Sequence, residues 1–148
     1  MFTWYNKGNK VVEVSMTIKL EDGKYAVTVQ ALKKEADEPS AMEPYLGEVA
    51  IVTVAGGRTY LTFMLREQNI ITNFQLLHGD HPIERMNSQV NEELNNRYEI
   101  FELEELKATV IARVQYELTH EGREIKGDEQ LRLVLDEESI QDLEGIKE

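Results

Sequence analysis

The chain has 148 residues and carries 28 Asp plus Glu against 16 Lys plus Arg, a formal charge of −12. The length fits one domain with a single core, and the charge repels phosphate backbones with no segregated basic patch to offset it, which excludes nucleic acid as a partner. The chain contains no cysteine, so disulfides and thiolate metal sites are excluded as well.

The start, "MFTWYNKGNKVVEV", has no apolar core of signal-peptide length, and nowhere do ~18 apolar residues run together. Either the protein is cytosolic or an export signal has been trimmed from it, and no membrane insertion is expected within this chain. Phe2, Trp4 and Tyr5 read as an edge strand that packs down, in preference to an exposed binding patch. Val12, Val14, Met16, Ile18 and Leu20 then alternate with polar residues, which places every second side chain on one face of a strand. The turn "EDGK" leads into a return strand carrying Tyr25, Val27, Val29 and Ala31. Pro39 ends that strand, because it removes a ladder donor and restricts Glu38.

In "PSAMEPYLG", Ser40 is the N-cap of one short helical turn that brings Met42 and Tyr45 to the same side. Pro44 keeps the turn short. "GEVAIVTVAGGRTYLTFMLREQ" is a hairpin turning at Gly56 and Gly57, which tolerate the positive φ that twist-compatible turns require. Its strands are apolar on both faces in places, so they are covered on both sides or line a pocket. "NIITNFQLL" is a further strand, and "HGDHPIERMNSQVNEELNNR" is a polar stretch holding a β-ribbon or a single helical turn. "RYEIFELEEL", "KATVIARVQYELTH" and "EQLRLVLDE" are each of strand length, and "EESIQDLEGIKE" reads as a frayed acidic tail. Seven to eight short strands with almost no helical periodicity predict an all-β, antiparallel, immunoglobulin-like sandwich.

The chemistry-bearing residues give an enzyme reading little support. None of His78, His81 and His120 stands beside a serine or acid in a way that marks a triad. His78, Asp80, His81 and Glu84 hold enough donors for a metal, but Gly79 and Pro82 mark the segment as a solvated turn. The paired carboxylates follow from the acidic composition and read as a solvated face.

Several stretches, in order, resemble the near-iron-transporter (NEAT) domain, an immunoglobulin-like family that Gram-positive bacteria use to capture haem and bind haemoproteins. They are "LEDGKYAVTVQALKKEADEPSAMEPYLGEVAIVTVAGGRTYLTFMLREQNIITNF", "FELEELKATVIARVQYEL" and "LRLVLD". The resemblance spans residues 20–136, leaving 1–19 as an extra N-terminal strand and 137–148 as the acidic tail. It implies a non-enzymatic module of the haem-iron acquisition type, extracellular or attached to the cell wall, with haem, a haemoprotein or another surface protein as partner.

The resemblance also implies a ligand slot between the short lid turn and the hairpin of the last two strands. Ser40 matches the lid serine that bonds a haem propionate, and Met42 and Tyr45 match positions packed on the porphyrin. Ile71 and Phe74 match the pocket wall. Haem-binding members carry Y-x-x-x-Y on the final strand, and those two places hold Ile125 and Glu129. Isoleucine has no donor atom, whereas a phenolate suits ferric iron. The expectation is therefore weak or atypical haem ligation, with Met42, Tyr116 or His120 as alternative ligands, or else a haem-free interaction domain. Glu129 shares face parity with Leu131, Leu133 and Leu135, so its carboxylate should point into the slot.

Overall fold

The computed structural model describes residues 17–79 and 81–144 in full, and the backbone of residues 2–7 and 10–15. Strands β1 (Phe2–Lys7) and β2 (Lys10–Ser15) pair with each other as a separate antiparallel ribbon. The packing expected of Phe2, Trp4 and Tyr5 lies outside the described side chains. Strand β3 (Thr17–Ile18) is followed by β4 (Gly23–Lys33), β5 (Val49–Ala55), β6 (Arg58–Arg66), β7 (Ile71–His78), β8 (His81–Ile83) and β9 (Arg85–Asn91). Strands β10 (Asn96–Leu103), β11 (Leu106–Lys107), β12 (Thr109–His120) and β13 (Arg123–Asp142) complete the chain.

Nine of these form one antiparallel sheet in the order β8-β7-β12-β13-β4-β5-β6-β10-β9, while β3 pairs with β11. The sheet folds over on itself along β4, which pairs with β5 over Gly23 to Thr28 and, on its other edge, with β13 over Thr28 to Lys33 and again at Ala26 and Tyr25. The two halves face each other. Phe74 on β7 meets Phe63 on β6 edge-on at 5.7 Å and Phe101 on β10 at 6.0 Å, an aromatic bridge between layers. Around it Val27, Val52, Leu61, Leu65, Leu76, Val114 and the Leu131, Leu133 and Leu135 row are almost fully buried. The expected all-β sandwich is what forms, and the Gly56–Gly57 turn has the predicted positive φ values of 58° and 81°.

Three expectations are corrected. The alternating run over residues 12–20 is not one strand hairpinned onto residues 25–31: β2 pairs with β1, and both edges of β4 are taken by β5 and β13. Period two fixes which face a side chain occupies, not which strand lies beside it. Residues 137–142 are not a frayed tail either. Across an irregularity between Asp136 and Gln141, β13 resumes pairing at Gln141↔Ala26 and Asp142↔Tyr25. Ser139 spans that gap, its Oγ accepting from the Thr28 amide at 2.8 Å and donating to the Asp136 carbonyl at 2.6 Å. The polar stretch after His78 resolves as β-structure, giving β8 and β9. Asp80 of the weighed metal cluster, like residues 145–148, lies outside the described residues; among the described residues no group of three or more His, Asp or Glu could hold an ion. Not every acid is solvated: Glu99 is fully buried.

Candidate functional site

Residues 39–46 leave the end of β4 and are tied down at both ends. Pro39 bridges to Leu32 and the Ser40 amide donates to the Ala31 carbonyl at 2.9 Å, while Leu46 bridges to Leu65 and the Gly47 amide reaches the Met64 carbonyl at 2.9 Å. The loop ahead of the lid is clamped by Arg132 of β13. Its guanidinium donates to the carbonyls of Lys33 at 3.0 Å and Ala36 at 2.8 Å, and pairs with Asp37 at 2.6 Å.

Within the lid, successive i to i+3 bonds run from Glu43 to Ser40 and from Tyr45 to Met42, and Glu43–Tyr45 forms a single 3-10 turn. Residues three apart eclipse in such a turn, so Met42 and Tyr45 do share a side. That side faces the core. Met42 is 2% exposed and belongs to the core cluster, so its thioether packs inward among the core side chains. Tyr45 is half-buried and packs on the same cluster. Ser40 caps the residues just ahead of the 3-10 turn, not the turn itself, with Oγ accepting from the Met42 amide at 3.1 Å. Because Ser40 is buried, Ser40→Ala should cost ~1 kcal/mol of unfolding free energy through the lost cap alone. Denaturant titration of the ligand-free protein measures it.

The β12–β13 hairpin has a register that pairs Leu118 with Ile125, Tyr116 with Gly127, Val114 with Glu129 and Ala112 with Leu131. These pairs share the face of the buried leucines, so the parity expected of Glu129 holds. Ile125 is 41% exposed near the hairpin end and Glu129 is half-buried. Tyr116 lays its ring over Gly127, where an added Cβ would fall within the ring itself. Its hydroxyl donates to Glu129 Oε2 at 3.1 Å. Burial, then the Glu129 hydrogen bond and charge, then the neighbouring Tyr45 push the Tyr116 phenol above its ordinary pKa, so it is a protonated donor at neutral pH. Ile71, the register neighbour of Tyr116 on β7, and Phe74 are buried beneath this cluster. His120 stands at the hairpin tip with its side chain 68% exposed, beside Glu121 at 4.0 Å.

The structure therefore brings Tyr116, Gly127 and Glu129 together on the hairpin with Tyr45 of the lid as a neighbour, sends Met42, Ile71 and Phe74 inward, and leaves Ile125 and His120 exposed toward the tip. A separate groove of about 730 Å³ touches the lid at Glu43, Pro44 and Leu46 but is otherwise lined by β4, Arg66 and the later part of β13. Sequence reasoning missed Gly127 and Arg132. A glycine inside a strand was the available signal for a close approach; nothing in the sequence marks which loop an arginine will clamp.

The family model described as "NEAT: Iron Transport-associated domain" matches residues 18–137. The chain belongs to the NEAT family. Among relatives of this NEAT domain is Hemin/hemoglobin-binding protein 2 of Listeria monocytogenes, 27% identical over 124 residues, which cover 83% of this chain. The match takes in only 22% of that protein's length. Among solved structures, the NEAT5 domain of IsdX2, a B. anthracis hemophore in complex with heme, superposes with a TM-score of 0.67 at 24% identity, covering 78% of this chain and 97% of that one. A point mutant of the same domain with heme gives a TM-score of 0.67, 24% identity and coverages of 79% and 97%. These two share the fold of the NEAT domain described here.

Proposed function

We propose that this NEAT domain is a non-enzymatic haem-binding module of the haem-iron acquisition type, belonging to an extracellular or cell-wall-associated protein of a Gram-positive bacterium, and that its haem ligation is atypical and weak. The observation that carries the reading is the hydrogen-bonded pair of Tyr116 and Glu129 on the hairpin, with Tyr45 of the lid as a neighbour. It stands where the family resemblance puts the ligand slot. The side chains fit that cargo: half-buried aromatic rings suit a porphyrin plane, and phenol and carboxylate oxygens are hard donors of the kind ferric iron prefers. Ligation is weakened because Ile125 offers no donor and Glu129 adds negative charge beside a ligand that itself bears carboxylates.

Titrating ferric haem into the purified protein should give a saturable Soret shift, with affinity falling when the haem is reduced, since a softer ferrous ion favours oxygen donors less. No shift in either redox state would sink the reading. A second reading, a haem-free interaction domain, is favoured by Ile125 alone, exposed and donor-free at one of the two family positions. It predicts no haem binding, together with specific retention of a haemoprotein or cell-wall partner in a pull-down.

A further inference from the structure

We infer that Tyr116 supplies the iron-ligating oxygen of this domain from β12, and that Gly127 is the residue which makes room for it. The inference rests on the haem-binding reading above. Gly127 lies midway between Ile125 and Glu129 on β13, and Tyr116 is its direct partner across the hairpin. The Tyr116 ring crosses onto β13 at that glycine, so a phenol from one strand occupies the gap between two positions of the next. Any β-carbon at 127 would collide with the ring, its hydroxyl included. The cradle is thus specific to glycine, and the phenol that fills it comes from the neighbouring strand.

The second observation is the hydrogen bond. Tyr116 Oη donates to Glu129 Oε2 at 3.1 Å. A phenol ligates well only after losing its proton, and this proton already points at a carboxylate. On ligation the Oη–H bond breaks, the proton passes to Glu129 and onward to solvent, and the phenolate oxygen keeps the electron pair. Ferric iron in a bound porphyrin would take that oxygen as a hard anionic ligand. Buried Val114 and half-buried Leu118, two residues to either side on β12, flank the phenol with apolar surface. The alternatives fail on position: Met42 is enclosed in the core, and His120 stands exposed at the hairpin tip.

The test uses the whole chain with three probes, ferric haem, gallium(III) protoporphyrin and metal-free protoporphyrin, on the natural protein and on Tyr116→Phe and Gly127→Ala. Phenylalanine keeps the stacked ring and removes only the oxygen. Tyr116→Phe should weaken ferric haem and the gallium porphyrin about tenfold or more, abolish the tyrosinate-to-iron charge-transfer signature, and leave metal-free porphyrin unchanged. Gly127→Ala should displace the ring and reproduce the spectral loss, with circular dichroism confirming the fold. Unchanged haem affinity and spectrum in Tyr116→Phe would overturn this assignment while leaving the haem-binding function standing. Equal binding of metallated and metal-free porphyrin by the natural protein would overturn it too, because stacking alone would then hold the ring. Absence of porphyrin binding by the natural protein would overturn both.

Discussion

Installing tyrosine at both 125 and 129 should tighten ferric haem binding by about two orders of magnitude, provided that Tyr116 is removed from the same space. The register turns positions 125 and 129 toward the slot face with Leu131, and Ile125 is 41% exposed, so a larger side chain has room there. Ile125→Tyr adds a hard donor where none exists. Glu129→Tyr removes a negative charge and supplies a hydroxyl to the new phenolate, a hydrogen bond to a charged group worth ~1.5–3 kcal/mol. Ligation and support together account for ~3 kcal/mol, which is about a hundredfold in affinity. Tyr116 stands in the way, because its ring covers Gly127 between the two positions. The gain should be small in the natural background and full in one carrying Tyr116→Val, with affinities followed by Soret titration. If neither background gains, the ligand does not lie between this lid and this hairpin.

Much of this site could be read from the residues. Alternation alone fixed Glu129 on the face of the leucine row, and Ser40, Pro44 and the three-residue spacing of Met42 and Tyr45 marked a short lid. What that lid faced was not legible. The same spacing that aligns Met42 with Tyr45 can turn the pair outward or inward, and only the anchors at Leu32, Leu65 and Arg132 decide. Period two likewise could not say that β3 would pair with β11, or that Tyr116 would cross to Gly127. Each of those is a matter of which strands are neighbours. The polar run after Asp136 hid a continuation of β13 because the ladder there uses backbone groups and one serine hydroxyl, with no apolar alternation to show it.

Glu99→Ala should be among the most damaging substitutions for stability, lowering the unfolding free energy by ~3–5 kcal/mol. In "RYEIFELEEL" Glu99 looks like one acid among many, yet its side chain is 0% exposed and faces the core with Phe101. The carboxylate is held by the guanidinium of Arg97 at 2.6 Å, that of Arg85 at 3.1 Å and the Ser88 hydroxyl at 3.1 Å. Arg85 and Ser88 belong to β9, an edge strand with every residue exposed, so this buried acid adds a side-chain anchor to the backbone ladder that joins β9 to β10. Arg97 is itself largely buried and also donates to the Ile71 carbonyl at 3.2 Å. Removing Glu99 leaves its cation enclosed without a counter-charge, and that stranded charge dominates the penalty. At ~2–4 °C per kcal/mol for a chain of this size, the melting temperature should fall by about 10 °C or more. The double change Glu99→Leu with Arg97→Met should recover most of the loss, because it removes both charges and keeps volume in the core. Thermal melts of the single and double variants test this directly: equal destabilisation by both would mean that packing, and not charge pairing, is what Glu99 provides. Ile71 is the register neighbour of Tyr116, so the single variant should also loosen the floor beneath the phenol, and its haem affinity should fall with its melting point. The paired variant, with that charge gone, should keep the floor intact and bind as the natural protein does.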